Sequence, residues 1–121
     1  MTYNDFTEMP IWQKAMDVAI NIQRLTIGFP KNEDYGVTSQ IRRAGLSISS
    51  NIAEGFGRNH IKDKINFYYF SRGSIMETRS QLIYCVNVEY LTKNDIKPLE
   101  DNLLEIALDL NKLIKSLQSK S

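Results

Sequence analysis

One cysteine, one histidine and three prolines are all that 121 residues contain of those types, and each scarcity closes off a class of protein. A lone Cys85 builds no internal disulfide framework and fits a reducing compartment. With His60 as the only imidazole there is no HExxH, no pair of ExxH motifs and no CxxC, so neither a metal site nor a cofactor site is expected. Charge of one sign is also missing. Fifteen basic against fourteen acidic side chains leave a formal net charge of +1, so any nucleic-acid site must be local. No segment approaches the roughly 20 apolar residues of a membrane span, and the N-terminus lacks a basic region followed by an apolar run. A cytoplasmic protein without membrane contact is expected.

What is present is helix. Pro10, Pro30 and Pro98 stand where helices start or stop. Ile11, Ala15, Val18, Ile22 and Leu25 recur at intervals of four and three, giving a first helix over about 9–27 that Gly28 and Pro30 end. Glu33 and Asp34 suit the first turn of a second helix over 33–56. A third runs over 61–88 without proline. Thr92 and Asp95 resemble a capping box opening a fourth over 93–118, whose seam is Ile96, Leu99, Leu103, Ile106, Leu110, Leu113 and Leu117. No alternating β-branched run marks a strand. The expectation is one all-α domain over residues 1–121, an antiparallel up-down-up-down four-helix bundle.

The helices carry more apolar surface than one bundle core uses. Trp12, Met16, Ile20 and Ile27 widen the apolar arc of the first helix. The third helix has a mixed packing side of Phe67, Phe70, Ser71, Ser74, Thr78, Leu82 and Cys85. Nearly opposite lies a second stripe, Ile65, Tyr69, Met76 and Ile83, with Arg72 and Arg79 beside it. A helix apolar on two sides needs two covers, and the second is another subunit or a terminus folded back. The stripe is the candidate oligomer interface.

The chemistry-bearing residues concentrate in the second helix. Gln40, Arg43, Ser47, Asn51 and Glu54 fall on one line of a helical wheel. They border a core line of Val37, Ile41, Ala44, Ile48 and Ile52, while Arg42, Leu46, Ser49 and Ala53 form a third side. With Glu77 and Gln81 of the third helix the polar line is a candidate network between helices or subunits, because half-buried polar groups need partners. A ligand or nucleic-acid site and a catalytic strip are the alternatives. Arg58, Lys62 and Lys64, with Arg42 further back, are the candidate nucleic-acid contacts, with Tyr68 and Tyr69 as stacking surfaces. Asp63 weakens that cluster, and His60 and Cys85 have no catalytic partner in sequence.

Together, "IWQKAMDVAINIQRLTIGFP", "YGVTSQIRRAGLSISSNIAEGFGR", "RGSIMETRSQLIYC" and "EYLT" resemble the four-helix-bundle proteins encoded in intervening sequences of bacterial 23S rRNA genes. The likeness spans about Phe6 to Leu117. It departs from the family pattern at Gly45 and Ser49, and at Glu89, where relatives commonly place glycine before Tyr-Leu. The resemblance implies a left-handed bundle assembling into a ring, with a homopentamer the expected form. A looser similarity to accessory proteins of diversity-generating retroelements implies rings that bind nucleic acid. The expectation is a non-enzymatic homo-oligomeric scaffold contacting rRNA or another nucleic acid. The alternative is an oligomer that binds protein or a small ligand and no nucleic acid.

Overall fold

The computed structural model describes residues 2–121. Four α-helices carry the chain: α1 (Pro10–Thr26), α2 (Val37–Gly57), α3 (Ile61–Asn87) and α4 (Lys93–Gln118). Short 310 turns at Phe6–Glu8 and Lys31–Glu33 precede α1 and α2. Among the described residues there is no strand, and no helix is long and apolar enough to cross a membrane.

Each helix packs on its neighbours in sequence, and α4 closes back onto α1, while the backbones of the diagonal pairs stay apart. Cross-helix contacts run in opposite senses at the seams between helices adjacent in sequence, and on α1–α2 Thr26 meets Arg42 while Ile22 meets Gly45. Ser47 meets Ser74 while Gly55 meets Tyr68 on α2–α3, and Arg79 meets Glu100 while Arg72 meets Asn111 on α3–α4. The four helices are therefore antiparallel around a square. Its centre is filled by Ala15, Val18, Ile22, Ile41, Ile48, Ile52, Ile75, Leu82, Leu103, Ile106 and Leu110. Of the core lines read for α1 and α2, Ile11, Ala15, Val18, Ile22, Ile41, Ala44, Ile48 and Ile52 are buried, while Leu25 and Val37 are half-buried and Thr26, Thr38, Gly45 and Ser49 are buried beside them. In α4 the seam drifts: Ile114 is buried, while Leu113 and Leu117 are half-buried, as a 3.6-residue period departs from a strict heptad.

Two helix starts are capped by side chains, and the end of α3 is closed by backbone bonds. Thr92 and Asp95 form the reciprocal capping box, Thr92 Oγ1 accepting from the Asp95 N–H at 3.1 Å and Asp95 Oδ2 from the Thr92 N–H at 2.8 Å. The second helix starts at Val37 and not near 33, because the non-helical backbone of Gly36 interrupts it. Glu33 caps it from outside, its Oε1 accepting the Val37 N–H at 3.3 Å and its Oε2 the Tyr90 hydroxyl proton at 2.8 Å. The α3 terminus is a Schellman arrangement, with Tyr90 N–H bonded to Cys85 C=O and Glu89 N–H to Val86 C=O. Glu89 sits there at φ 66°, a left-handed conformation that favours glycine.

The surplus apolar faces are covered in part. The N-terminal turn packs over the start of α1, with the Phe6 ring edge-on to Trp12 at 5.2 Å. Within the same chain α4 covers part of the second α3 stripe: Ile65 is half-buried, and Arg72 and Arg79 bond to Asn111 and Glu100. Met76 and Ile83 stay exposed, as do Leu104 and Leu108 of α4. On α1 and α2, Ile20, Ile27 and Leu46 stay exposed too. On the opposite side of α3, Phe70 points outward, and Ile75 and Tyr68 take the core positions.

Candidate functional site

The polar line of α2 divides into separate local arrangements. Ser47 Oγ bonds Ser74 Oγ across the α2–α3 seam, and Asn51 Nδ2 donates to the Ser47 carbonyl at 2.9 Å within α2. Buried Ser71 adds a crossing by donating to the Ile48 carbonyl at 2.8 Å, a bond worth about 1 kcal/mol. Serine suits this seam because it is small enough for close approach and can satisfy its own hydroxyl on backbone. Gln40 and Gln81 line one open groove with Glu33, Val37, Ser80 and Tyr84. Glu54 pairs with Arg58 one turn on, at 3.2 Å and with both side chains largely exposed. Arg43 and Glu77 are exposed and enter no ion pair among the described residues. Within one chain, then, Ser47 bonds across the seam, Asn51 bonds within α2 and the charged members face water.

The four basic candidates are not brought together. Arg42 donates from Nε to buried Thr26 Oγ1 at 2.8 Å, tying α2 to α1. It stands 16 residues before Arg58, which lies just past the end of α2, about 24 Å away along the axis. Lys64 reaches back to the end of α2, its ammonium donating to the Phe56 carbonyl at 2.8 Å and the Gly55 carbonyl at 3.3 Å. It neutralises the carbonyl end of that helix, and burial holds its pKa below the ordinary lysine value. Arg58 lies over the Phe67 ring at 4.6 Å, and Lys62 is exposed. Only Arg58 and Lys62 face water at the α2–α3 connection. Tyr68 is no stacking surface: it is 3% exposed, its ring lies against Gly55, and burial pushes its phenol up to about 12.

Where charge does gather is the α3–α4 seam. Tyr69, Arg72, Leu108, Asn111, Lys112, Ile114, Lys115 and Gln118 line one open groove. Arg72 lies over the Tyr69 ring at 4.8 Å and donates to Asn111 Oδ1 at 2.7 Å, and Gln118 Nε2 donates to the Tyr69 hydroxyl at 3.3 Å. Tyr69 and Arg72 stood out in the sequence as interface residues. Asn111, Lys112, Lys115 and Gln118 did not, because only the α3–α4 register brings them opposite Tyr69. Their signal is Lys112 and Lys115 three apart on the outward side of α4, just past exposed Leu108.

The remaining reactive groups are unpromising for catalysis. Cys85 is fully buried, and desolvation first, then the Glu33 charge, pushes its thiol up to about 11. His60 is exposed just before α3. Among the described residues no group of three or more His, Cys, Asp or Glu is placed to hold a metal ion.

A family model described as 23S rRNA-intervening sequence protein matches residues 7–112. A crystal structure of a protein of unknown function from the S23 ribosomal protein family of Bacteroides thetaiotaomicron VPI-5482 has the same fold. Its TM-score is 0.78 at 24% identity, over 87% of this chain and 98% of that one. No curated protein matches the sequence.

Proposed function

The chain belongs to the 23S rRNA-intervening sequence protein family, and on that premise we propose that it is a non-enzymatic, homo-oligomeric scaffold that contacts RNA. The observation that carries the assembly is apolar surface on two opposite flanks of one bundle. Met76, Ile83 and Leu104 are exposed on the α3–α4 flank, and Ile20, Ile27 and Leu46 on the α1–α2 flank. Two different patches on opposite sides favour a head-to-tail contact, and a head-to-tail contact that closes makes a ring. A pentameric ring is the form proposed. Ile65 and Arg79 then serve the interface by fixing α3 against α4, Met76 and Ile83 are its reaching side chains, and Tyr69 and Arg72 lie outside the contact between copies, at the Asn111 and Gln118 end of the seam.

Ribosomal RNA is the partner proposed because the family model carries that name. Fluorescence anisotropy with fragments of 23S rRNA tests the contact. Binding should weaken steeply as salt rises, and light scattering should give one species of several chains. A dispersed monomer, or absent or salt-insensitive RNA binding, counts against the proposal. The engagement of Arg42 and Lys64 inside the chain favours the second reading, an oligomer for protein or a small ligand, which predicts no RNA binding at any salt.

A further inference from the structure

Two arginines on the same stripe of α3 meet α4 in different ways. Arg79 faces a carboxylate, its Nε donating to Glu100 Oε2 at 3.0 Å, so its charge is neutralised in place. Arg72, two turns earlier, meets the neutral amide oxygen of Asn111 at 2.7 Å and keeps its full charge. Lys112 and Lys115 line the same groove, and no carboxylate does. None of the three cations is in an ion pair among the described residues. In a chain of net charge +1 this is a local concentration of positive charge. The C-terminal dipole of α4 accounts for a lysine in its last turns. It does not account for a guanidinium brought in from α3 with no acid opposite.

Between the cations the groove is not simply polar. Leu108 and Ile114 supply an apolar lining and Tyr69 an aromatic ring, over one side of which Arg72 lies. Asn111 and Gln118 each have one half of the amide engaged. Asn111 retains its NH2 donors and Gln118 its carbonyl acceptor. Cations for phosphate, a flat aromatic and apolar lining for a base, and spare amide groups for its edge form the combination that single-stranded nucleic-acid sites use. An acidic peptide would use the cations and leave the rest idle. At about 370 Å³ the groove has the size of a small-ligand site, which suits one or two nucleotide units of a strand and not a folded partner.

We infer that the Tyr69–Arg72–Lys112–Lys115 groove between α3 and α4 is the single-stranded nucleic-acid site of this protein. Lys62, one heptad before Tyr69 on the same line of α3, extends the cationic track toward the bundle end. The inference rests on the RNA-contact reading and gives that contact an address. It moves the site away from Arg42 and Lys64, whose charges are used within the fold, and leaves Arg58 at the periphery.

The test is anisotropy of the full chain with a short labelled oligouridylate, beside the 23S rRNA fragments. The triple exchange Arg72→Gln, Lys112→Gln and Lys115→Gln should weaken oligouridylate binding at least about tenfold and flatten its salt dependence by two to three phosphates' worth. Tyr69→Leu should weaken it about fivefold or more with the salt slope unchanged, since stacking releases no counterions. Arg58→Ala should stay within about twofold of wild type. Circular dichroism should show every variant folded, since none of the replaced side chains is in the core, and light scattering should give the wild-type species, since Met76, Ile83 and Leu104 are untouched. Wild-type-like binding by the triple variant overturns the groove while the RNA-contact reading stands, as does binding of rRNA fragments without oligouridylate. Absence of all RNA binding overturns both. Competition by polyglutamate as effective as that by oligouridylate would overturn the choice of nucleic acid.

Discussion

Gly55 and Tyr68 meet so closely that a methyl group on the glycine would stand 2.6 Å from the tyrosine Cε1. No real carbon pair tolerates that distance, and the buried ring has nowhere to move. The glycine near the end of α2 is thus a packing residue that lets α3 approach. Gly55→Ala should lower stability by about 1–3 kcal/mol through overpacking. Gly73, exposed in the middle of α3 with nothing near its missing side chain, is the control. Gly73→Ala should raise stability by up to about 1 kcal/mol through helix propensity alone. Thermal melts of the two variants check both signs.

Glu89 holds a left-handed φ of 66° to close the Schellman turn after α3. A side chain costs about 1 kcal/mol there. Glu89→Gly should therefore raise the midpoint of chemical denaturation without changing its slope. A lowered midpoint would mean that the Glu89 side chain has a role its exposure does not suggest.

Arg42 works inside the fold. Removing it leaves the buried Thr26 hydroxyl without its Arg42 donor, though Thr26 still donates to the Ile22 carbonyl at 2.7 Å. Arg42→Ala should cost about 1 kcal/mol of stability and leave RNA affinity unchanged at constant salt. Parallel melts and anisotropy titrations separate the two effects.

Burial sets an alkaline limit. Cys85 is pushed from 9.0 to about 11 and Tyr68 from 10.0 to about 12, because the buried site disfavours thiolate and phenolate. Both folded values lie above the unfolded ones. Stability is therefore intact below about pH 9 and falls as pH rises toward about 12, by about 1.4 kcal/mol per pH unit for each group within its window. Cys85→Ala should delay the onset by about one pH unit. A melting temperature flat from pH 8 to about 11 would show that these groups are not shielded as described.

The parts of the fold legible in the sequence were those fixed by near neighbours. The Thr92–Asp95 box, Pro10 at a helix start and the core lines of α1 and α2 depend on residues within a turn or two of each other. What could not be read depends on register between helices. Both sides of α3 carry apolar residues, and nothing local says that Tyr68 turns inward while Phe70 turns out, or that Arg72 meets an amide and Arg79 a carboxylate. Glu33 was seen as helical although it acts from outside the helix, because its partners are Val37 and the distant Tyr90. The groove residues stayed unseen for the same reason: Tyr69 and Gln118 are 49 positions apart.

The central claim, assembly through two different flanks of one bundle, is tested most directly by mixing two interface variants. Ile83→Asp spoils the α3–α4 flank and Ile27→Asp the α1–α2 flank, and both residues are exposed enough for the monomer to fold unchanged. Each variant alone should be monomeric by light scattering at micromolar concentration, where wild type is a single larger species. Mixed in equal amounts they should form a dimer and nothing larger, because each copy still offers the flank its partner lacks. A wild type that is already monomeric, or variants that remain monomers when mixed, would contradict the account.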